Sequence, residues 1–153
     1  MFLSPITSNY YDSYQPQSVK DKDNKDNPTS KDIQNDPKLQ AEILKLQQID
    51  AHVKAHEMAH KAAGGELAGG ASYTYKIGPD GKRYAVAGEV PIAIKKGKTP
   101  QETISNMEKV KAAALAPSDP SPQDLKVAAT AEMIENQERM KLHHKKTLLD
   151  IKA

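Results

Sequence analysis

Apolar residues recur at helical spacing in the part of the chain that follows its polar N-terminus. They lie three or four positions apart, as expected for one face of an amphipathic helix: Leu39, Ile43, Leu46, Ile49 and Val53. Asp36 is a favourable N-cap residue, and Pro37 suits the first helical position. The pair Gly64-Gly65 is typical of a helix end. The pattern therefore predicts one long helix that begins at Pro37 and ends at this glycine pair.

The period changes from helical to alternating after the glycine pair. Residues 72–77 and 82–87 alternate in polarity, and the turn-forming sequence GPDG at residues 78–81 separates them, which predicts a β-hairpin. A four-residue loop gives the predicted pairs Ile77–Lys82, Tyr75–Tyr84 and Tyr73–Val86. Extending this register places Glu89 near Gly70, close to the end of the long helix.

Two further helices are predicted after the hairpin. Thr99 and Glu102 have the spacing of a capping box, and Pro100 suits the first position of a helix that should end near residue 116. The sequence SPQD at residues 121–124 begins the other helix in a similar way, and that helix continues toward the C-terminus. These elements predict an α+β fold with a long helix, a β-hairpin and two further helices.

The N-terminal part of the chain shows no apolar periodicity. Charges alternate in sign in the sequence KDKDNKD at residues 20–26. Such a segment buries too little apolar surface to offset the entropy that it loses on ordering. We therefore predict a disordered polar tail over residues 1–35 and one ordered domain over residues 36–153.

Composition narrows the classes of function. The chain has 22 basic and 20 acidic residues and a formal net charge of +2, so no surface for nucleic acid or for an anionic membrane is predicted. No segment is apolar over the length of a membrane span, and the N-terminus lacks the pattern of a secretion signal, so a cytoplasmic protein is expected. Because the chain has no cysteine, any metal must be bound by His, Asp or Glu. No pattern indicates an oligomeric state.

The sequence HEMAH at residues 56–60 lies on the long predicted helix. His56 and His60 are four residues apart and share one face, where they can bind a single metal ion. That face overlaps the apolar stripe, so both imidazoles should point toward the interior or the floor of a cleft. Glu57 would lie beside the metal, where its carboxylate can take a proton from water.

Catalytic zinc sites usually have a third protein ligand. Glu89 is the better candidate because the hairpin would return it to the helix end, whereas Glu66 would ligate only if the glycine turn brought it back. His52 and His60 lie roughly 12 Å apart along the helix axis, so one metal cannot take all three histidines. We therefore place His52 outside the donor set. The two histidines at residues 143–144 lie in a basic, solvated turn.

Several short motifs around these residues resemble one protein family, the SprA-related family of metalloprotease catalytic domains. The motifs are HEMAH at 56–60, AGG at 63–65 and 68–70, SYTY at 72–75, GPDGK at 78–82, YAV at 84–86, GEV at 88–90, AAALAP at 112–117 and DPSPQD at 119–124. The resemblance covers about residues 50–135, with a mild departure at Ala87, where the family often has Gly. It implies a bacterial origin, a zinc site at His56 and His60, and Glu57 as the catalytic acid and base. Because Glu89 belongs to the motif, the resemblance favours it over Glu66.

The spacing and the resemblance together predict a zinc-dependent peptidase that acts on a peptide or protein. In this hypothesis Zn²⁺ is bound by His56, His60 and Glu89, and Glu57 is the general base. One of the hairpin tyrosines is a candidate for stabilising the oxyanion, with packing as the expected role of each: Tyr73, Tyr75 and Tyr84. Two other classes stay open, a non-catalytic zinc-binding structural or interaction module and a metal-free interaction protein.

Overall fold

The computed structural model describes residues 3–8 and 28–152, and its elements largely follow the periodicities of the sequence. In chain order they are β1 (Leu3–Ser8), α1 (Ser30–Asn35), α2 (Pro37–Gly64), a 3₁₀ turn (Gly65–Leu67), β2 (Ser72–Ile77), β3 (Arg83–Ala93), α3 (Pro100–Ala114) and α4 (Pro122–Lys152). The strand β3 lies between β1 and β2 and pairs antiparallel with both. The predicted α+β class is confirmed.

The long helix α2 begins and ends where the sequence predicts. The carboxylate of Asp36 accepts a hydrogen bond from the backbone N–H of Lys38 at 2.8 Å, and Pro37 is the first helical residue. Gly65 follows the last helical residue with a φ of 52°, a conformation in which glycine carries no steric penalty. Leu46 and Val53 on the predicted apolar stripe are buried.

The hairpin forms, but its predicted register is wrong at the turn. Ile77 lies opposite Arg83 instead of Lys82, because the loop spans residues 78–82. The N–H of Gly78 donates to the carbonyl of Lys82 at 2.8 Å, which takes Lys82 into the turn. The extra loop residue shifts every following pair.

A second shift in register lies further along the hairpin. Thr74 lies opposite Ala87 while Tyr75 lies opposite Ala85, so β3 contains a bulge. Beyond the bulge Glu89 lies opposite Ser72, and not near Gly70 as predicted. The extra residues therefore change which side chains meet across the hairpin.

The predicted disordered tail falls mainly on residues 9–27, which lie outside the described residues. The two described stretches of that segment form secondary structure. β1 pairs with the C-terminal half of β3, and α1 begins with a capping box between Thr29 and Asp32. Secondary structure in the described residues therefore begins before the predicted boundary at residue 36.

The long helix α2 packs both against the sheet and against α3. α2 contacts β3 and α3, and α3 packs along α4. The larger apolar cluster joins β3, α3 and α4 with Leu67, Ile92, Met107, Val110, Ala113, Ala114, Val127, Ala128 and Ala131. No helix within the described residues is both long enough and apolar enough to cross a membrane.

Candidate metal centre

The two histidines of the HEMAH sequence lie side by side in the interior. Their exposed fractions are 3% for His56 and 0% for His60, so the predicted inward orientation is confirmed. Their Nε2 atoms are 3.0 Å apart, because residues four apart on a helix project from the same face. Both rings therefore direct the same nitrogen toward one point.

The end of α3 fixes the tautomer of His60. Its Nδ1 lies 2.8 Å from the carbonyl oxygen of Ala113, in the last turn of α3. Because a carbonyl oxygen only accepts hydrogen bonds, Nδ1 must carry the proton. In the neutral ring Nε2 then has a free lone pair, which it directs toward Nε2 of His56.

A third donor comes from the first turn of α4. The carboxylate of Asp124 accepts a hydrogen bond from the N–H of Ser121 at 2.6 Å, and its own N–H donates to the hydroxyl of Ser121 at 3.2 Å. This reciprocal cap holds the carboxylate toward α2. Its oxygens lie 3.5 Å from Nε2 of His56 and 3.4 Å from Nε2 of His60.

The distances among these three side chains suit a bound metal. In a tetrahedral site with bonds of about 2.0–2.1 Å, the ligand atoms lie about 3.3–3.4 Å apart. Here the two Nε2 atoms are 3.0 Å apart. Nε2 of His60 lies 3.4 Å from Oδ1 of Asp124, and Nε2 of His56 lies 3.5 Å from Oδ2 of the same carboxylate. Two imidazoles with one carboxylate suit a divalent transition metal better than Mg²⁺ or Ca²⁺, which prefer oxygen ligands. Among the described residues, His56, His60 and Asp124 are the group whose donor atoms converge in this way.

The electrostatics of the group also favour a positive charge between its members. Burial alone would raise the pKa of Asp124, but hydrogen bonds from His56, His60 and Ser121 outweigh burial and hold that pKa well below its usual value. Burial alone would lower the pKa of His60, but Asp124 and the carbonyl of Ala113 outweigh it and raise the pKa. The site therefore stabilises a cation, whether that cation is a proton or a metal.

A second carboxylate lies behind His56. Asp119 Oδ1 is 3.5 Å from Nδ1 of His56, and Asp119 Oδ2 is 3.3 Å from Nε2 of His52. This places His52 outside the donor group, as the sequence predicts. A carboxylate on the far nitrogen of a metal-binding histidine orients the ring and makes it a stronger ligand. A cleft of about 240 Å³ borders these three residues, on the side of His56 that faces Asp119.

We expect Asp119→Ala to weaken metal binding about 10- to 100-fold, because His56 loses the carboxylate behind it. Asp119→Asn, which keeps an oxygen acceptor, should fall between wild type and the alanine variant. The zinc dissociation constant, measured by competition with a coloured chelator, is the readout. His52→Gln is the control and should leave the constant close to wild type. An unchanged constant in Asp119→Ala would show that this carboxylate does not support His56.

Glu57 lies next to the donor group, buried and without a hydrogen-bond partner. Its exposed fraction is 0%, and among the described residues neither carboxylate oxygen has a partner. Burial raises its pKa to about 7, although the nearby His56 and His60 act in the opposite direction. A carboxylate kept unpaired near the metal donors, with a pKa close to neutrality, is suited to exchange protons with water.

The space for Glu57 is provided by a glycine on β3. A Cβ atom added at Gly88 would lie 2.6 Å from Cγ and 2.8 Å from Oε1 of Glu57. Contacts this short force the carboxylate or the strand to move, and Glu57 has no exposed surface into which it can withdraw. The close approach of α2 and β3 therefore depends on the missing side chain at residue 88.

Gly88→Ala should accordingly lower the free energy of unfolding by about 1–3 kcal/mol, the usual cost of overpacking a core. Denaturant unfolding measures this change. Gly70→Ala is the matched control, since an added Cβ there meets no atom within 4 Å. Equal stability of the two variants would mean that Glu57 is not packed against β3 as described.

The two acidic residues predicted as third ligands lie elsewhere. Glu89 follows Gly88 on β3 and so points to the other face of the strand. Its Oε1 accepts a hydrogen bond from the hydroxyl of Ser72 at 3.3 Å. Glu66 is exposed in the 3₁₀ turn after α2. The structure brings Asp124, and neither of these glutamates, to the two histidines.

The three candidate tyrosines have different surroundings. The hydroxyl of Tyr84 donates to Asp80 at 2.6 Å, and its ring belongs to an apolar cluster with α2, so its role there is packing. The ring of Tyr75 packs under the guanidinium of Arg83 at 4.4 Å. Burial raises the pKa of Tyr73, and the negative charge of Glu57 raises it further. Tyr73 is thus within electrostatic reach of the site and remains protonated at neutral pH.

The sequence reasoning missed Asp124, although a signal for it exists. The sequence SPQD at residues 121–124 marks a helix start, and a carboxylate at that position of a capping box is held in a fixed direction. Nothing in the sequence shows that this helix start lies against α2. The packing of α3 between α2 and α4 supplies that information.

Fold and site together define an α+β protein with a buried His–His–Asp group able to hold a metal ion. A sequence model of the SprA-related family matches residues 11–149, which is well over half of the chain. The chain therefore belongs to the SprA-related family. No curated protein and no solved structure matches it.

Proposed function

We propose that this protein is a zinc-dependent peptidase. The observation that carries the proposal is the position of Glu57, a buried carboxylate without a hydrogen-bond partner among the described residues, beside three convergent metal donors. Leaving a carboxyl group buried and unpaired costs stability, so such groups are usually kept for a function. A general base next to a metal is the function that fits this arrangement.

Zinc is the metal that suits the donor set best. Two imidazoles and one carboxylate, with a fourth position left for water or substrate, form a common ligand set of catalytic zinc. When bound, zinc supplies Lewis acidity, which polarises a substrate carbonyl and lowers the pKa of water. His56, His60 and Asp124 would hold the ion, Asp119 would orient His56, and the carbonyl of Ala113 would orient His60.

Glu57 and Tyr73 supply the remaining chemistry in this proposal. Glu57 accepts a proton from the attacking water and passes it to the leaving amine of the peptide. Burial raises the pKa of Glu57 above its usual value, which makes this carboxylate a stronger base and better able to hold the proton between the two transfers. The protonated hydroxyl of Tyr73 is our choice among the three tyrosines for stabilising the oxyanion.

A non-catalytic zinc site is the second candidate, and the burial of the donors favours it. His60, Glu57 and Asp124 are all fully buried, as is usual for metals that only stabilise a fold. A structural site, however, gives no reason for an unpaired carboxylate beside it, since an apolar residue there would be more stable. The catalytic proposal accounts for Glu57, and the structural alternative does not.

Digestion of a peptide library tests the proposal. Protein freed of metal with a chelator should cleave nothing, and one equivalent of Zn²⁺ should restore cleavage at defined peptide bonds. The control is the same protein treated with chelator and then with Mg²⁺, which does not suit imidazole ligands. Stoichiometric zinc binding without any cleavage would favour the structural alternative.

A further inference from the structure

The N-terminal strand β1 occupies the edge of β3 beside the candidate active centre. Its register places Ser8 opposite Gly88, Ile6 opposite Val90 and Ser4 opposite Ile92. The residue Gly88 is the one that packs against Glu57, so β1 ends next to the proposed general base.

A pair of prolines fixes which residues of β1 form hydrogen bonds with β3. Pro5 lies opposite Pro91, and two prolines cannot exchange N–H···O bonds. The carbonyl of Pro91 instead accepts a hydrogen bond from Gly69, on the side of β3 away from β1. Because hydrogen-bonded and non-hydrogen-bonded pairs alternate along antiparallel strands, the hydrogen-bonded pairs are Ser4–Ile92, Ile6–Val90 and Ser8–Gly88.

This edge of β3 has the properties of a binding site for an extended peptide. The backbone groups of Gly88, Val90 and Ile92 all point toward it, so any chain of suitable conformation can pair there by strand addition. β1 also contacts α4, the helix whose first turn carries Asp124.

We propose that this edge of β3 is the substrate-binding edge and that β1 holds it as an intramolecular competitor of an extended peptide substrate. This inference rests on the proposed peptidase function. A tethered segment competes at an effective concentration on the order of millimolar. A peptide substrate must displace β1 before its backbone can pair with Gly88 beside Glu57. The wild-type protein is then self-inhibited, and its hydrolysis rate depends on the fraction of time that β1 is dissociated from the edge of β3.

Proline substitutions in β1 test the competition. Ile6→Pro removes an N–H that pairs with Val90 and should release β1, raising hydrolysis of a peptide substrate about tenfold or more. Thr7→Pro is the matched control, because the N–H of Thr7 points away from β3 and its loss leaves the ladder intact. The control should hydrolyse at the wild-type rate. Equal rates in the two variants would overturn the proposal.

A reversible disulfide tests the same point without weakening the fold. The chain has no cysteine, so Leu3→Cys combined with Ala93→Cys introduces the only pair of thiols. These residues lie opposite each other in a non-hydrogen-bonded pair, where the Cβ atoms are close enough to be bridged. The oxidised form should hydrolyse peptide at least about tenfold more slowly than the reduced form. Equal rates in both forms would overturn the proposal, and Leu3→Cys alone should not respond to oxidation.

A binding measurement separates this inference from the proposed function. The disulfide pair is combined with Glu57→Gln, and a fluorescent peptide of sequence LSPITS is titrated into each form. Binding to the reduced form but not to the oxidised form supports strand exchange at this edge, even if no variant hydrolyses peptides. The titration extends above the effective concentration of the tethered strand, which is on the order of millimolar. In that range, equal binding by both forms, or by neither, would show that β1 and the peptide do not share a site.

Discussion

Replacing Asp124 by alanine should reduce the affinity for zinc by more than about 100-fold, whereas replacing Glu89 by alanine should leave it unchanged. Loss of a residue that only orients a ligand costs 10- to 100-fold in affinity, so loss of a ligand itself should cost more. Asp124 lies 3.4 and 3.5 Å from the two histidine nitrogens. Glu89 instead accepts a hydrogen bond from Ser72.

The comparison needs a correction for stability, because Asp124 also caps α4. Its carboxylate accepts a hydrogen bond from Ser121, and loss of such a cap costs about 1 kcal/mol. Asp124→Asn keeps an acceptor for Ser121 and removes the charge, so it should retain the helix and still bind zinc weakly. Competition titrations at a temperature where circular dichroism shows each variant to be folded give the affinities. Zinc affinity that falls in Glu89→Ala and not in Asp124→Ala would restore the ligand predicted from the sequence.

Replacing Glu57 by glutamine should reduce peptide hydrolysis by about 10²- to 10⁴-fold, the usual contribution of a general base. The variant has the same shape but cannot take up a proton from water. Its zinc affinity should stay near that of wild type, because Glu57 is not one of the three convergent donors. The readouts are the initial rate on one library-derived peptide and the zinc content of the purified variant.

Glu66→Gln is the matched control for this substitution. Glu66 is an exposed glutamate close to the end of the same helix, so the exchange of carboxylate for amide is identical and only the position differs. The control should hydrolyse the peptide at the wild-type rate. If Glu57→Gln retained full activity, Glu57 would not be the base. If Glu57→Gln lost zinc together with activity, the role of Glu57 would be in metal binding.

The part of the site that could be predicted from the sequence lies on a single helix. The position of His56 relative to His60 follows from the helical repeat alone, and the neighbouring apolar stripe shows which way both rings point. The caps of α2 could also be predicted, since Asp36 and Gly65 act on residues adjacent to them in sequence. Interactions between residues that are close in sequence are sufficient to predict the helix ends and the shared face of the two histidines.

The third donor could not be predicted because its position depends on packing between distant segments. Asp124 reaches the histidines from α4, and α3 positions the start of that helix. The choice of Glu89 assumed an unbroken hairpin. Two single-residue shifts, at Lys82 in the turn and at the bulge in β3, changed that register. Each residue inserted in a strand moves the following side chains to the other face.

The strand β1 could not be predicted for a related reason. Its sequence, LSPITS at residues 3–8, is short and contains a proline, which argues against an ordinary strand. The proline is accommodated because it lies opposite Pro91 in a pair that needs no hydrogen bond. That compatibility is visible only when both strands are placed side by side.

The X-ray absorption spectrum of the zinc-loaded protein tests the account most directly. We expect one equivalent of zinc with a shell of nitrogen and oxygen ligands at about 2.0–2.1 Å, and outer-shell scattering from two imidazoles. The same spectrum of Asp124→Ala should lose an oxygen ligand or show no stoichiometric zinc. A wild-type protein that binds no zinc, or binds it with fewer than two imidazoles, would contradict the account.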